Sequence, residues 1–248
     1  MWKFSRKGCD VAISDAVRKQ RPASGVYEAL KDQILDNRIP PGTKLSIDAV
    51  ARELGVSPTP VREALQRLQG DNLVVATSGR GYSTTPLLDA DGLRDLFEFR
   101  LLVEPWAARA AAVERLDNPA YQLNDELADF RKRSSSGGDI RQDLVAHDTH
   151  FHELVLQASG NGVIRNAFAQ THCHLHLFRL YPADVDGTIT IEEHGAVWEA
   201  IRDCDPAGAE DAMYRHLTGS YRRFAEAFDG GNPASLQARR APFVADIG

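Results

Sequence analysis

One aspartate and three histidines in the second half of the sequence have the residue types and spacing of a metal site. Asp148 and His152 lie four residues apart, so they share one face of a helix. The same face carries the apolar residues Leu144, Phe151 and Val155. Because apolar helix faces pack into the core, this spacing directs a carboxylate and an imidazole into the protein interior.

Two further histidines lie on apolar stripes of other predicted helices. The stripes contain Val197, Trp198 and Ile201 beside His194, and Ala209, Ala212 and Met213 beside His216. An unpaired polar group is costly to bury, so four inward ionisable groups would satisfy one another by binding a divalent cation together. Any one of these histidines alone would more often be a core residue with a protein partner. Imidazole and carboxylate ligands suit zinc, nickel, iron or manganese, and we expect zinc.

The other histidines are weaker candidates, although all eight lie between His147 and His216. His172 and His176 are also four residues apart, but their predicted helix has no clear apolar face. His150 points away from the face of Asp148 and is expected to be exposed.

Arg100 is a charge on another apolar stripe, formed by Leu93, Leu96 and Phe97. A fixed guanidinium inside a pocket suits a carboxylate ligand, which makes Arg100 a candidate effector contact. The alternative is a buried ion pair with Glu104, one helical turn later.

Three functions are consistent with this inward cluster. In the first, a small carboxylic acid binds across the metal and Arg100 and shifts the domain between two packings. In the second, the metal is purely structural. In the third, the metal activates water for hydrolysis. The sequence shows no additional inward Glu, Lys or His that would act as general acid or base, so we expect no enzyme.

The first third of the chain contains the signals of a helix-turn-helix. A helix is predicted over residues 25–37, and a second one begins with Ser46 as N-cap and ends at Gly55. The third has Ser57 as N-cap and Pro58 in its first position. Two short helices joined by a three-residue turn that contains glycine are typical of this DNA-binding motif.

Residues 73–84 then predict a two-stranded hairpin, which makes the motif a winged one. Side chains at the start of the third helix would enter the major groove, and Arg62 has the planar fork that fits a guanine edge. Arg67 is expected to be solvated or in an intramolecular ion pair. The candidate DNA contacts are Arg52, Ser57, Thr59, Arg62 and, in the wing, Arg80 and Gly81.

Beyond a short linker that follows Pro86, the periodicity is only helical. Helices are predicted over residues 91–113, 120–133, 140–158, 163–180, 191–203 and 207–228. The expected fold class is mostly α, with an antiparallel bundle of about six or seven helices after the winged helix-turn-helix. The predicted domains are a flexible arm at 1–21, the DNA-binding domain at 22–86, a helical effector-binding and dimerisation domain at 87–228, and a loosely ordered tail at 229–248.

Charge separates the two modules. Residues 1–86 carry thirteen Lys and Arg against nine Asp and Glu, whereas the rest carries sixteen against twenty-six. A basic module attached to an acidic one indicates a nucleic-acid-binding part and a part with another task. The three cysteines lack metal or disulfide spacing, the N-terminus has no export signal, and no apolar run approaches a membrane span. We therefore expect a cytoplasmic protein without a membrane partner.

Three segments resemble the GntR family of bacterial regulators: PGTKLS at 41–46, LGVSPTPVREALQRL at 54–68 and RGY at 80–82. The segment FRLLVE at 99–104, the Asp148–His152 pair followed by ASGN at 158–161, and the late His194 and His216 resemble its FadR-type branch with an FCD sensor domain. The resemblance implies a homodimeric regulator, expected to be a repressor, on a double-stranded operator with two-fold-related half-sites. It also implies a small carboxylic acid effector beside a divalent metal. The family often has arginine where this chain has Pro58, which removes one candidate DNA contact.

Overall fold

The chain folds into two compact units, the first ending at Pro86 and the second beginning at Leu87. The computed structural model describes residues 23–77, 81–113, 118–135, 140–180, 187–226 and 228. The predicted arm at 1–21, the predicted tail at 229–248 and Arg80 lie outside the described residues.

Within its described residues, the first unit has three helices and a small sheet, the architecture of a winged helix-turn-helix. Its elements are α1 (Ala23–Leu35), β1 (Lys44–Leu45), α2 (Ile47–Leu54), α3 (Pro58–Gly70), β2 (Val74–Thr77) and β3 (Gly81–Thr84). The strands pair antiparallel in the order β1-β3-β2. The sequence predicted β2 and β3 but not β1, because a strand of two residues carries no periodicity.

Local chemistry accounts for the tight turn between α2 and α3. Gly55 ends α2 at a φ of 66°, where glycine avoids the strain of a side chain, and Pro58 begins α3. Ser46 and Ser57 occupy the predicted N-cap positions, but neither side chain makes a capping hydrogen bond. The turn geometry and the N-cap positions of the two serines were therefore predicted correctly, and only the side-chain hydrogen bonds of the caps are missing.

The second unit is helical, and the structure confirms the mostly α fold class. Its helices are α4 (Ala90–Val113), α5 (Ala120–Ser134), α6 (Arg141–Ala158), α7 (Gly162–Ala169), α8 (Cys173–Leu180), α9 (Thr188–Arg202) and α10 (Pro206–Ala225). Helix α4 packs against α6, α9 and α10. A large apolar cluster that includes Phe97, Phe151, Val197 and Leu217 forms the core of this unit.

The single helix predicted over residues 163–180 is wrong, because α7 and α8 are separate. His172 between them has a φ of 47°, in the left-handed region. The Thr171 hydroxyl donates to the carbonyl of Phe168 at 2.7 Å and accepts from the Cys173 amide at 3.3 Å. No glycine or proline marks this break in the sequence, so periodicity alone did not reveal it.

Within the described residues, no helix combines the length and the apolar character needed to span a membrane.

Candidate metal centre and nucleic-acid interface

Three helices of the second unit bring the four predicted metal ligands together. Helix α6 supplies Asp148 and His152, α9 supplies His194, and α10 supplies His216. One ligand atom from each lies within 4.8 Å of all the others, and all four residues are buried. The inward faces inferred from helical periodicity therefore converge on one point.

The geometry at this point fits a metal ion. Asp148 Oδ1 lies 3.6 Å from His152 Nε2 and 3.5 Å from His194 Nε2. Two ligands of a tetrahedral zinc ion, each about 2.0–2.1 Å from the metal, are about 3.3 Å apart. In the part of the chain that the structure describes, the buried Nε2 atoms of His194 and His216 have no hydrogen-bonding partner. A cation would satisfy these atoms.

The opposite ring nitrogen of each histidine is held by a neighbouring side chain. His216 Nδ1 lies 2.8 Å from Glu193 Oε2, and His152 Nδ1 contacts the Glu104 carboxylate. His194 Nδ1 instead faces another imidazole, 3.0 Å from the Nε2 atom of His147. Metal-bound histidines commonly have such partners, which fix the ring orientation and the tautomer. Each ring thus presents Nε2 to the cluster.

Electrostatics keeps the cluster in a form suited to a cation. Burial raises the pKa of Asp148, but attraction to His174 and His152 and the hydrogen bond from His174 outweigh it and hold the pKa well below its usual value. Burial lowers the pKa of both His194 and His216. Since metal ligands must be deprotonated, an ionised Asp148 and two neutral imidazoles are ready to bind.

His152 differs from the other two histidines. Burial lowers its pKa, but attraction to the Glu104 carboxylate outweighs this and raises it above the usual value. A metal that binds this ring therefore competes with a proton.

Arg100 lies beside this cluster but is already paired. Its Nε donates to Glu104 Oε1 at 2.6 Å, and both side chains are buried. Its Nη2 is 3.3 Å from His152 Nε2. The ion pair with Glu104, the alternative considered above, is therefore present, and the effector contact of Arg100 stays a prediction.

The expectation that no other inward Glu or His surrounds the site is wrong. Glu104, His147 and His174 are all buried there. His147 follows Leu144 by three residues, so helical spacing could have placed it on the inward face. His174 could not be found in this way, because it faces inward only after the break between α7 and α8.

His174 contacts the cluster of four candidate metal ligands from α8. Its Nδ1 lies 2.5 Å from Asp148 Oδ2, the oxygen opposite the one that faces His152 and His194. Burial lowers the pKa of His174, but electrostatic attraction to Cys173 and Asp148, together with hydrogen bonds to them, outweighs this and raises the pKa to about 10.

The remaining histidines lie apart from the cluster. His172 and His176 are half-buried and contribute no atom to it, and burial lowers the pKa of His176 to about 4. His150 has a side chain that is 54% exposed, as predicted.

Four of the predicted DNA contacts in the first unit lie on α2 or at the start of α3. Arg52, Ser57, Thr59 and Arg62 are all exposed, while Val61 faces the core. The amides of a helix N-terminus attract phosphate, and an exposed arginine on the first turns reaches a groove. The surface has the chemistry of a recognition helix, and the individual contacts stay predictions.

Two neighbouring features agree with this interpretation. Gly81 begins β3 at a φ of 82° and is exposed, so only glycine fits the start of this strand without strain. Arg67 is exposed, as the expectation of a solvated residue requires, and its guanidinium also stacks on the Tyr27 ring at 3.8 Å in a cation–π contact that the sequence did not predict.

Comparison with known proteins agrees with both units. The gntR family of bacterial regulatory proteins matches residues 22–83, and the FCD domain matches residues 95–219. The chain belongs to the GntR family. It is a DNA-binding transcriptional regulator with an FCD domain.

Several known transcriptional regulators are similar to most of the chain. It is 27% identical over 231 residues to a probable D-xylose utilization operon transcriptional repressor of Paenarthrobacter nicotinovorans, covering 92% of this chain and 99% of that one. It is 29% identical over 224 residues to the galactonate operon transcriptional repressor of Escherichia coli, covering 79% and 94% of the two chains. The fold is similar to that of a putative transcriptional regulator GntR from Rhodococcus sp. RHA1, with a TM-score of 0.63 at 20% identity over 83% of this chain and 98% of that one.

Proposed function

We propose that this GntR regulator is a metal-dependent sensor of a small carboxylic acid. Asp148, His152, His194 and His216 hold a divalent metal in the helical unit. The acid binds beside that metal and changes the affinity of the DNA-binding unit for its operator. The protein acts as a homodimer on two-fold-related half-sites, because a helix-turn-helix of this size reads only one half-site.

One observation carries the proposal. The buried Nε2 atoms of His194 and His216 have no hydrogen-bonding partner among the described residues, and they converge on the ionised Asp148 carboxylate. Each unsatisfied buried polar atom costs about 1–3 kcal/mol. A divalent cation removes these costs and offsets the carboxylate charge.

The choice of metal decides how an effector can reach it. Four protein ligands complete a tetrahedral zinc site, which is then closed as in structural zinc sites. Nickel, iron and manganese accept six ligands, which leaves two positions for a carboxylate or water. Acid binding on the metal itself therefore requires an octahedral ion or an expanded zinc shell. The second contact of the acid is Nη2 of Arg100, which lies 3.3 Å from His152 Nε2, because Nε of Arg100 is already paired with Glu104.

Repression is the mode of action that the relatives support. Two of the curated relatives that cover most of this chain are named as operon repressors. We extend that role to this protein, with Arg52, Ser57, Thr59, Arg62 and the wing at Arg80 and Gly81 as its DNA contacts. No catalytic role is proposed, because the buried Glu104, His147 and His174 are each held by another side chain.

Thermal unfolding of the metal-stripped protein tests the sensor. Divalent metals are added singly and then together with a panel of mono- and dicarboxylic acids. A metal at about 100 times its Kd stabilises the folded state by about 2.7 kcal/mol, which raises the midpoint by about 5–11 °C. H194A and H216A should lose this rise, whereas H150A, which changes an exposed histidine of α6, should keep it.

DNA binding provides the second half of the test. A duplex selected by the protein from random sequence should contain two related half-sites, and the stabilising acid should change its Kd only when metal is present. If metal stabilises the protein but no acid adds to it, the site is purely structural. If neither metal nor acid has an effect, the cluster is polar core packing and the sensor proposal is wrong.

A further inference from the structure

A chain of hydrogen-bonding groups leads from the metal cluster to the protein surface. His194 Nδ1 lies 3.0 Å from His147 Nε2, and His147 Nδ1 lies 2.9 Å from Glu126 Oε1. His147 is fully buried, while the Glu126 side chain is 13% exposed. We propose that His147 and Glu126 fix the tautomer of His194 and thereby set the affinity of the site for its metal. This inference rests on the metal site of the proposed function.

The Glu126 carboxylate, at the outer end of this series of hydrogen bonds, determines which group donates in each of them. An ionised carboxylate only accepts hydrogen bonds, so His147 must donate from Nδ1 to Glu126. A neutral imidazole that carries its proton on Nδ1 has a bare Nε2, which accepts from His194 Nδ1. With its proton on Nδ1, His194 directs the lone pair of Nε2 towards the cluster. The carboxylate thus determines, through one intervening ring, which nitrogen of His194 binds the metal.

Packing holds the intervening ring in the orientation that this requires. The His147 ring stacks on Phe130 with centroids 4.6 Å apart and planes inclined by 17°. Phe151 is a second aromatic neighbour, 6.0 Å away between ring centroids. Contacts with two buried aromatic residues restrict rotation of the His147 ring away from His194 and Glu126. His147 is therefore a positioning residue that acts on the metal through His194.

This arrangement differs from those of the other two ligand histidines. His152 and His216 each contact a carboxylate directly, from Glu104 and Glu193. Among the ligand histidines of the described structure, only His194 is connected to its carboxylate through a second imidazole. The dependence on two side chains makes the His194 ligand the one most readily weakened by a change outside the metal cluster.

Substitutions at His147 separate hydrogen bonding from packing. H147F keeps a ring against Phe130 but leaves His194 Nδ1 without its acceptor. H147Q retains one acceptor for His194 and one donor for Glu126. Loss of such an outer partner weakens metal binding by about 10–100-fold. We expect this increase in Kd for Zn²⁺ in H147F, substantial recovery in H147Q, and a smaller increase in E126Q, whose amide oxygen still accepts.

H150Q is the matched control. His150 lies on the same helix and is exposed, and its Nε2 is 3.9 Å from Glu126, beyond hydrogen-bonding distance. Its Kd for Zn²⁺ should equal that of the wild type. The visible absorption of bound Co²⁺, which reports on coordination geometry, should change in H147F and not in H150Q.

A measurement without metal tests the tautomer directly. Long-range proton–nitrogen spectra of the metal-free protein with ¹⁵N-labelled histidine should show His194 protonated on Nδ1 in the wild type and in H147Q. In H147F the two tautomers should mix. Metal-free H147F should still unfold in one cooperative transition, which shows that the variant folds, at a midpoint lowered by the buried His194 Nδ1 that has lost its acceptor.

Each outcome decides between the proposals. If H147F binds Zn²⁺ with wild-type affinity, or if H147F and H147Q lose equal affinity, His147 does not fix the tautomer of His194 and the proposal is wrong. If E126Q binds Zn²⁺ with wild-type affinity, Glu126 has no part in it. A wild-type protein that binds no Zn²⁺ would instead refute the metal site, while the metal-free spectra would still report on the tautomer of His194.

Discussion

Replacing Glu104 by leucine should destabilise the helical unit strongly. Glu104 is fully buried, and its Oε1 accepts a hydrogen bond from Arg100 Nε at 2.6 Å. Its other oxygen contacts His152 Nδ1. Burial raises the pKa of Glu104, but attraction to Arg100 and His152 outweighs this and holds the pKa well below the usual value, so the pair is ionic at neutral pH. E104L has a similar size but leaves the guanidinium buried without its counter-ion.

The magnitude follows from the burial of the pair. Removing one partner of a buried ion pair costs about 3–5 kcal/mol. For a protein of this size, 1 kcal/mol shifts the midpoint by about 2–4 °C, so E104L should melt about 6–20 °C lower. Replacing both charges, as in R100M/E104L, should recover much of this loss, because an apolar pair needs no desolvation of charge.

Urea unfolding of the metal-free protein, followed by tryptophan fluorescence, measures these changes. Trp106 and Trp198 both lie in the helical unit and report on it. The control is E210L, which removes a half-buried partner of Arg109 at 3.3 Å and should cost less than about 1 kcal/mol. A cost for E104L as small as that of E210L, or a double variant as unstable as the sum of the single ones, would refute the reasoning.

Two other predictions concern DNA binding and pH. R62A should weaken binding to a selected duplex by about 1–3 kcal/mol, the worth of a bidentate base contact, with only partial recovery in R62K. R67A, which removes a guanidinium stacked within the domain, should have a smaller effect on the Kd measured by fluorescence anisotropy. The metal-free protein should be most stable near neutral pH. His194 and His216 have lowered pKa values in the folded protein. Below about pH 6.5 the unfolded chain therefore binds more protons than the folded one, and the free energy of unfolding decreases as the pH falls. The raised pKa of His152 has the opposite sign, and its contribution is lost as the pH rises through the folded value. A thermal midpoint that rises steadily from pH 5 to pH 9 would contradict this balance.

The DNA-binding unit was readily predicted because its signals are local. Gly55 and Pro58 determine the turn between two helices through backbone sterics alone, and these constraints act wherever the chain is placed. The same locality limited the prediction. Strand β1 has two residues and exists only because β3 pairs with it, with Lys44 opposite Ser83.

The cluster of candidate metal ligands was predicted from periodicity for a similar reason. Asp148, His152, His194 and His216 each interrupt an apolar stripe of a regular helix, and a helix transmits the direction of one side chain to the next. Convergence of the three stripes needs tertiary packing, but the inward direction of each does not. His147 obeys the same rule and was overlooked although its spacing was readable.

What the sequence alone determined is therefore local: the fold class, the turn between the two DNA-binding helices, and the inward faces of α6, α9 and α10. Only the tertiary structure decided the rest. The break at His172 turns α8 so that His174 reaches Asp148. No glycine, proline or change of periodicity in the sequence predicts this break. The sequence left open whether Arg100 pairs with Glu104, and the structure shows that it does. The link from His194 through His147 to Glu126 depends on distances between helices. Hydrogen bonds and ion pairs act over a few ångströms, and periodicity specifies which way a side chain points but not what it meets there.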